Sequence, residues 1–429
     1  MVTSHMTLAT RLAAGVHSLT GSTASFAVTQ AAWRFFANDK ITLQLLAQPL
    51  LEHARKSATL ACDKYMLAPI DWCWMDCNTH DNKKDRIDSG GGLGYDLLCA
   101  LGIGDKDGQV LAPLCMELEN AQGVHTTRHN TLLKHQSPLD SILPVMDHLA
   151  KADLGKTLVH IIDREADSVG HFRQWNSAGH LFLVRADDRL VKHENRQVGL
   201  RKLGKELLEK GAFTQARQLR WRDNQDALQH VAEATVTLTK PARSTKKING
   251  KKVYIEKPGP PVTLRVVFSR VTDMQGKELA FWMLLTNLPQ EVDAATTALW
   301  YYWRWRIESA FKLMKEAGLQ AEEWLQETGP AILRRLLVAA MACVVVWDLA
   351  NKQGEQAEKA REFLVRLSGR VMKWEKGKGR KKFTNPALLA GLMVLLPMLH
   401  ALEQYTIEEI YEMAKFIFPG AGEKNTKDV

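Results

Sequence analysis

Tyr301, Arg304, Glu308, Lys312 and Lys315 follow one another along the chain at steps of three and four. On a helix such steps stack side chains on one face. Trp303, Ile307, Phe311 and Met314 fall on the opposite face and suit a core. The spacing therefore predicts one helix presenting a single carboxylate within a row of cations and a phenol. A surface ladder of ion pairs has a similar pattern. With only 7 tyrosines in 429 residues, however, the string Tyr-x2-Arg-x3-Glu-x6-Lys is rare by composition. Positive neighbours keep such a glutamate ionised. Its oxygens suit a hard divalent cation, and the flanking cations suit phosphates. Metal-assisted phosphoryl transfer on nucleic acid is the chemistry this face would serve, and it needs further carboxylates from elsewhere in the chain.

Two such acids stand against apolar runs. Asp71 lies in Leu67-Ala-Pro-Ile-Asp71-Trp-Cys-Trp-Met. An acid in a central apolar strand is costly without a partner, so it is either functional or a capped residue at the strand end. Asp163 follows Val159-His-Ile-Ile, and an acid directly after a buried strand marks the ligand-bearing edge of an α/β sheet. Glu165 and Asp167 compete with Asp163, but a following helix would use Asp167 near its N-terminus. Asp76 and Asp96 compete with Asp71, although neither follows an uninterrupted buried strand. Asp71, Asp163 and Glu308 together would hold two divalent ions about 3.5–4 Å apart, Mg2+ or its substitute Mn2+.

The elements that must bring these residues together can be read from periodicity. Residues 26–60 read as helices. Leu67–Cys77, Tyr95–Gly102 and Val110–Leu118 read as strands, the last two joined by the turn Gly104-Asp-Lys-Asp-Gly108. A helix over Ser137–Lys151, a strand over Leu158–Ile162, a helix over Val169–Ser177 and a strand over Leu181–Ala186 follow. Three antiparallel strands, then helix, strand, helix, strand, predict an α/β fold with an RNase H-like catalytic core. That core is a mixed five-stranded sheet flanked by helices, in which the first and fourth strands lie side by side and parallel. Asp71 and Asp163 would then be neighbours. The expected division is an N-terminal helical segment at 1–60, the first part of the core at 61–188, and a β-rich insertion at 189–278. The closing strand and catalytic helix occupy 279–320, and a helical C-terminal region 321–429.

Composition bounds the rest. The 429 residues, 45% of them hydrophobic, can bury a large core in two or three parts. A net charge of +9 permits an anionic partner. The 6 cysteines lie in apolar surroundings and read as reduced core residues of a cytoplasmic protein. Cys73 and Cys77 lack a second ligand pair for zinc, and His125 and His129 lack a third ligand. Gly90–Gly94 lacks the lysine of a P-loop. No signal peptide is visible, and the apolar runs Leu336–Trp347 and Leu388–Leu399 are too short to span a bilayer. Basic runs at 240–252 and 370–382 suit phosphate contact or a solvated loop equally by composition.

On these residues the chain resembles the DDE transposases of bacterial insertion sequences. Asp71, Asp163 and Glu308 look like their acidic triad. The string Ile162-Asp163-Arg164-Glu165-Ala166-Asp167 and the Tyr-Arg-Glu-Lys helix are similar to insertion-sequence family four, over roughly residues 26–350. The first block departs from the pattern: the family often has Asp-Thr-Thr where this chain has Asp71-Trp72-Cys73. The resemblance implies a DNA transposase that nicks the element's end, forms and opens a hairpin, and transfers the strand to target DNA at one metal site. It implies double-stranded DNA as partner, namely terminal inverted repeats and target, with a homodimer in the synaptic complex and no membrane. The protein would be associated with the nucleoid when bound to DNA. It also implies that Trp282 stacks on a flipped base, where an ordinary core role is the alternative, and that Tyr301 and Arg304 contact phosphates beside it. Lys312 and Lys315 would hold the nearby backbone, and the basic run at 240–252 would face the site. Relatives often carry a longer segment before the first helices. End recognition is therefore expected to rest on the insertion, the C-terminal region or residues 26–60. A nuclease of the same fold without strand transfer, or an inactive DNA-binding relative, is the alternative.

Overall fold

The computed structural model describes residues 23–90, 92–135, 137–221, 225–248, 251–315, 319–369, 373–374 and 381–417. These form two compact units, one of residues 36–312 and 322–340, the other drawn from 23–35, 313–321 and 341–417. The larger unit holds the acids.

Its chain begins with helix α1 (Leu43–Ala61), started by the Thr42 hydroxyl accepting from the Leu45 amide. The meander β1 (Tyr65–Asp76), β2 (Leu93–Gly104), β3 (Val110–Asn120) and β4 (Gly123–Thr126) follows. The turn between β2 and β3 closes as the glycines require: Gly108 has φ of 73°, and a Cβ there would lie 2.7 Å from the Trp303 ring. Ser137 and Asp140 form a capping box on a 3-10 turn, and the regular helix α2 starts only at Ile142, running to Lys151. Then come β5 (Thr157–Ile162), α3 (Val169–Ser177) and β6 (Leu181–Arg185).

β1 and β5 are parallel neighbours, as are β5 and β6. The stretch runs β3-β2-β1-β5-β6, with the first and fourth strands side by side as expected, and it is part of one sheet of 13 strands. The segment expected as a β-rich insertion supplies β7 (Leu190–His193), β8 (Arg196–Gly199), then after helix α4 (Leu200–Glu209) β9 (Thr214–Arg220), β10 (Asp226–Leu238), β11 (Ala242–Ile248), β12 (Lys251–Lys257) and β13 (Val262–Asp273), of which all but β11 and β12 join that sheet. Strand β14 (Glu278–Thr286) joins β6 on one side and β13 on the other, so the sheet continues β6-β14-β13-β10-β7-β8. An open edge at β14 would leave unpaired amides and carbonyls, and the long strands β13 and β10 cover it. Only β11 and β12 stand off as a separate hairpin carrying the basic run at 240–252. Arg173 of α3 holds its base through the carbonyls of Pro260 and Lys240. The side chains of residues 243–254 in that hairpin lie outside the described residues.

Helix α5 (Ala294–Trp303) starts at Asp293, whose carboxylate accepts from the Thr296 amide at 2.6 Å. The buried Arg265 of β13 donates to the Val292 carbonyl and the Thr297 hydroxyl, tying this helix to the sheet. Helix α6 (Arg306–Lys315) follows after a turn at Arg304 and Trp305. The single helix expected over 301–315 is therefore two. The Arg304 and Trp305 amides donate back three residues, to the carbonyls of Tyr301 and Tyr302. A tightened step of this kind keeps side chains three and four apart on one face while ending the first helix.

Helix α7 (Gly329–Asn351) corrects another expectation. The run Leu336–Trp347 belongs to a helix of 23 residues that is long and apolar enough by length and composition to cross a membrane; 83% of its most apolar stretch is buried within the protein. The smaller unit contains α8 (Glu355–Leu367), α9 (Asn385–Leu402) and α10 (Ile407–Ile417). Arg361 of α8 donates to the carbonyls of Leu349 and Lys352, capping the end of α7. α9 crosses α8 at Gly391, where a Cβ would meet the Leu364 carbonyl oxygen at 2.0 Å. Of the basic segment at 370–382, only the paired two-residue strands Lys373–Trp374 and Lys381–Lys382 are described; the rest of that expectation lies outside the described residues. No cysteine is in a disulfide, and all but Cys73 are buried.

Candidate active site

Register brings the first two acids together. Tyr65–Ile70 of β1 pair one by one with Thr157–Ile162 of β5, and the last pair is Ile70 with Ile162. Asp71 and Asp163 are the next residue on each strand, so both leave the carboxyl edge of the parallel ladder. Asp71 is not a loop residue, because it stays paired with Cys99 of β2. Asp163 leaves its strand and caps a 3-10 turn, its carboxylate accepting from the Arg164 amide at 2.7 Å.

Glu308, in the first turn of α6, reaches the same place through Arg304. One Arg304 terminal nitrogen donates to Asp71 at 2.6 Å. The other lies 3.1 Å from Glu308 and 3.2 Å from Asp163. Tyr301, in the last turn of α5, donates its hydroxyl to the other Asp163 oxygen at 3.0 Å. Three acids from three elements thus gather around one guanidinium whose side chain is 4% exposed. The remaining Arg304 nitrogen, Nε, is buried without a hydrogen-bond partner.

The electrostatics differ between the acids. Burial raises the Asp71 carboxyl above its usual range, against the opposing pull of Arg304. Burial also works against the charge of Asp163, but Arg304, the Arg164 amide and the Tyr301 hydroxyl together hold its carboxyl below the usual range. Burial and the neighbouring Asp163 push the Tyr301 phenol well up.

A cleft of about 390 Å³ opens beside the acids, lined by Asp163, Glu308, Tyr301, Arg304, Arg185, Trp282 and other residues. Trp282 is 6% exposed, with its ring 5.5 Å from Tyr301 and 5.7 Å from Trp221. Trp221, Trp305 and Arg185 are cleft residues that sequence reasoning did not pick out. Arg185 follows the apolar run Leu181–Val184 and lies 3.9 Å from Asp163. The rule that selected Asp163, the first polar residue after a buried strand, selects it too.

Other expected positions fall differently. Tyr301 and Arg304, expected on phosphates, are turned inward onto the carboxylates, because unpaired acids at this depth require donors. Lys312 lies one turn beyond Glu308 on α6, and Lys315 ends that helix in the smaller unit. Asp167, the rival of Asp163, is committed to Arg189 at 2.7 Å and to the Asp187 amide. Asp96 faces Glu119 across β2 and β3, away from any cation partner given by its register.

Among the described residues, no three His, Cys, Asp or Glu side chains are closed into a metal-holding group. The Arg304 guanidinium stands between the three acids that would form one. Their chemistry nevertheless suits a hard divalent cation: all three offer carboxylate oxygens, and one guanidinium does not neutralise three negative charges.

No sequence profile of a known family matches the chain, and no curated protein matches it. Among solved structures, a piggyBac transposase synaptic complex with hairpin DNA matches with a TM-score of 0.33 and 10% identity, over 83% of this chain and 57% of that one. The chain thus spans little more than half the length of that protein.

Proposed function

We propose that this chain is a metal-dependent DNA phosphoryl-transfer enzyme of the transposase type, with an RNase H-like core. It would cut at insertion-sequence ends, through a hairpin, and join the freed strand to target DNA. One observation carries the reading: Asp71 and Asp163, each next after the last paired residue of two neighbouring parallel strands, and Glu308, on a helix, meet at a single guanidinium. The Tyr-Arg-Glu-Lys spacing supports it. A salt-bridge cluster built only for stability would not need three acids around one cation at the edge where α/β sheets bind ligands.

Asp71, Asp163 and Glu308 would hold Mg2+, two ions in this reading, with Mn2+ as substitute. Bound there, the ions would lower the pKa of an attacking hydroxyl and offset charge on the leaving oxygen. The chain's own groups do the rest. Tyr301 fixes the orientation of the Asp163 carboxylate through its hydroxyl. Arg185 and the cleft tryptophans face the space a DNA strand would enter, where an indole offers a stacking surface for an unpaired base. Lys312 and Lys315 extend the cationic row on α6 toward backbone phosphates.

The test uses a plasmid carrying the DNA that flanks the protein's own reading frame on both sides, incubated with Mg2+ or with a chelator. The proposal predicts nicks at the flanking ends and joined products in a second plasmid, both lost on chelation and in Asp163→Asn and Glu308→Gln. Cleavage without joined products would favour the nuclease alternative. Nicking that survives both substitutions would refute the site.

A further inference from the structure

We infer that Arg304 is an internal cation that occupies the acid site and must leave it when divalent ions bind, a positioning role beyond phosphate contact. The inference rests on the metal-site reading above. Two observations lead to it. The guanidinium touches all three acids from a side chain that is 4% exposed, so it fills the space that ligands of those acids would use. Finally, Arg304 belongs to the turn between α5 and α6 rather than to a helix interior, with the open cleft at its side. Rotation of its side chain would aim it into that cleft without unwinding either helix.

The consequence is an exchange. With Arg304 inward, the acids carry one compensating charge and the site stays assembled. Divalent ions compensate more charge and would compete directly for the same oxygens. A displaced guanidinium would then face the cleft, where a DNA phosphate is the natural acceptor. Metal and DNA binding would strengthen each other, by the same factor in both directions.

The test is Mn2+ binding to the full chain without DNA, followed by calorimetry, in wild type, Arg304→Met and Asp163→Asn. The exchange predicts that Arg304→Met binds Mn2+ at least about tenfold more tightly than wild type, and that its Tm rises more on Mn2+ addition. Equal affinity in wild type and Arg304→Met, with loss in Asp163→Asn, would overturn the exchange and leave the metal site standing. No binding in any of the three would overturn both. Should Arg304→Met fail to fold, the wild-type protein supplies a second measurement. Its Arg304 Nε signal, identified by its absence in Arg304→Lys after 15N-arginine labelling, must shift as Mg2+ saturates the site. A signal unmoved at saturation refutes the exchange.

Discussion

Tyr301 makes a hydrogen bond that can be removed without removing bulk. Tyr301→Phe keeps the ring against Trp282 and deletes the donor to Asp163. The expected cost is about 1–3 kcal/mol, since the lost donor served a charged, half-buried acceptor. Urea unfolding reads it, and an unchanged midpoint would mean the bond is idle. Arg304→Ala is a harsher change, leaving three acids without their shared cation. A loss of about 3–5 kcal/mol in the absence of divalent ions is expected. At this scale the sequence was legible in part. Helical spacing put Tyr301, Arg304 and Glu308 on one face, and apolar runs ending at Asp71 and Asp163 marked the sheet edge. Spacing does not tell which way a side chain turns, so the inward Arg304 was beyond it. Arg185 was readable by the rule that found Asp163.

Strands and helices carry their own tests. In β2, Asp96 sits directly opposite Glu119 of β3, and like charges so placed are destabilising. Burial first, then Glu119 and Glu165, push its carboxyl up to about 6 from 3.8. A carboxyl raised in the fold contributes stability that is complete below the unfolded value and is lost as pH rises through about 6. Asp96→Asn is therefore expected to stabilise the protein at about pH 8, by at most about 3 kcal/mol, and to be neutral near pH 4. Urea midpoints at the two pH values decide it, and a gain that does not depend on pH would contradict the cause given. Where α9 crosses α8, Gly391→Ala pushes a methyl into the Leu364 carbonyl, and the helical unit should lose stability by about 1–3 kcal/mol. Helix α7 shows why apolar runs mislead. Arg334 and Arg335 interrupt the pattern, yet both are buried: Arg334 caps the carbonyls of Phe36 and Ile41, and Arg335 lies 4.1 Å from the Trp324 ring centre. Partners distant in the chain keep them inside, and no local window displays those partners. The turn at Arg304 was hidden for a related reason, because α and 3-10 steps share the same three-residue spacing.

For the whole molecule, a charge of +9 and a cleft with a cation beside three acids define the electrostatics. If the chain binds DNA through several phosphates, affinity should fall by about a thousandfold or more between roughly 50 and 200 mM salt. A flat response would leave the net charge without that role. Sheet order was readable where short connections force neighbours, as in β1 to β3. The junctions of β14 with β6 and of β13 with β10 were not, because pairing between strands far apart in sequence leaves no mark on either strand alone. The central claim is that Asp71, Asp163 and Glu308 form one divalent-cation site. Anomalous scattering from a crystal grown with saturating Mn2+ tests it most directly. The account predicts manganese peaks bounded by these three carboxylates, with the Arg304 guanidinium moved from between them. Manganese bound elsewhere, or none beside the acids while Arg304 keeps its three partners, would contradict it.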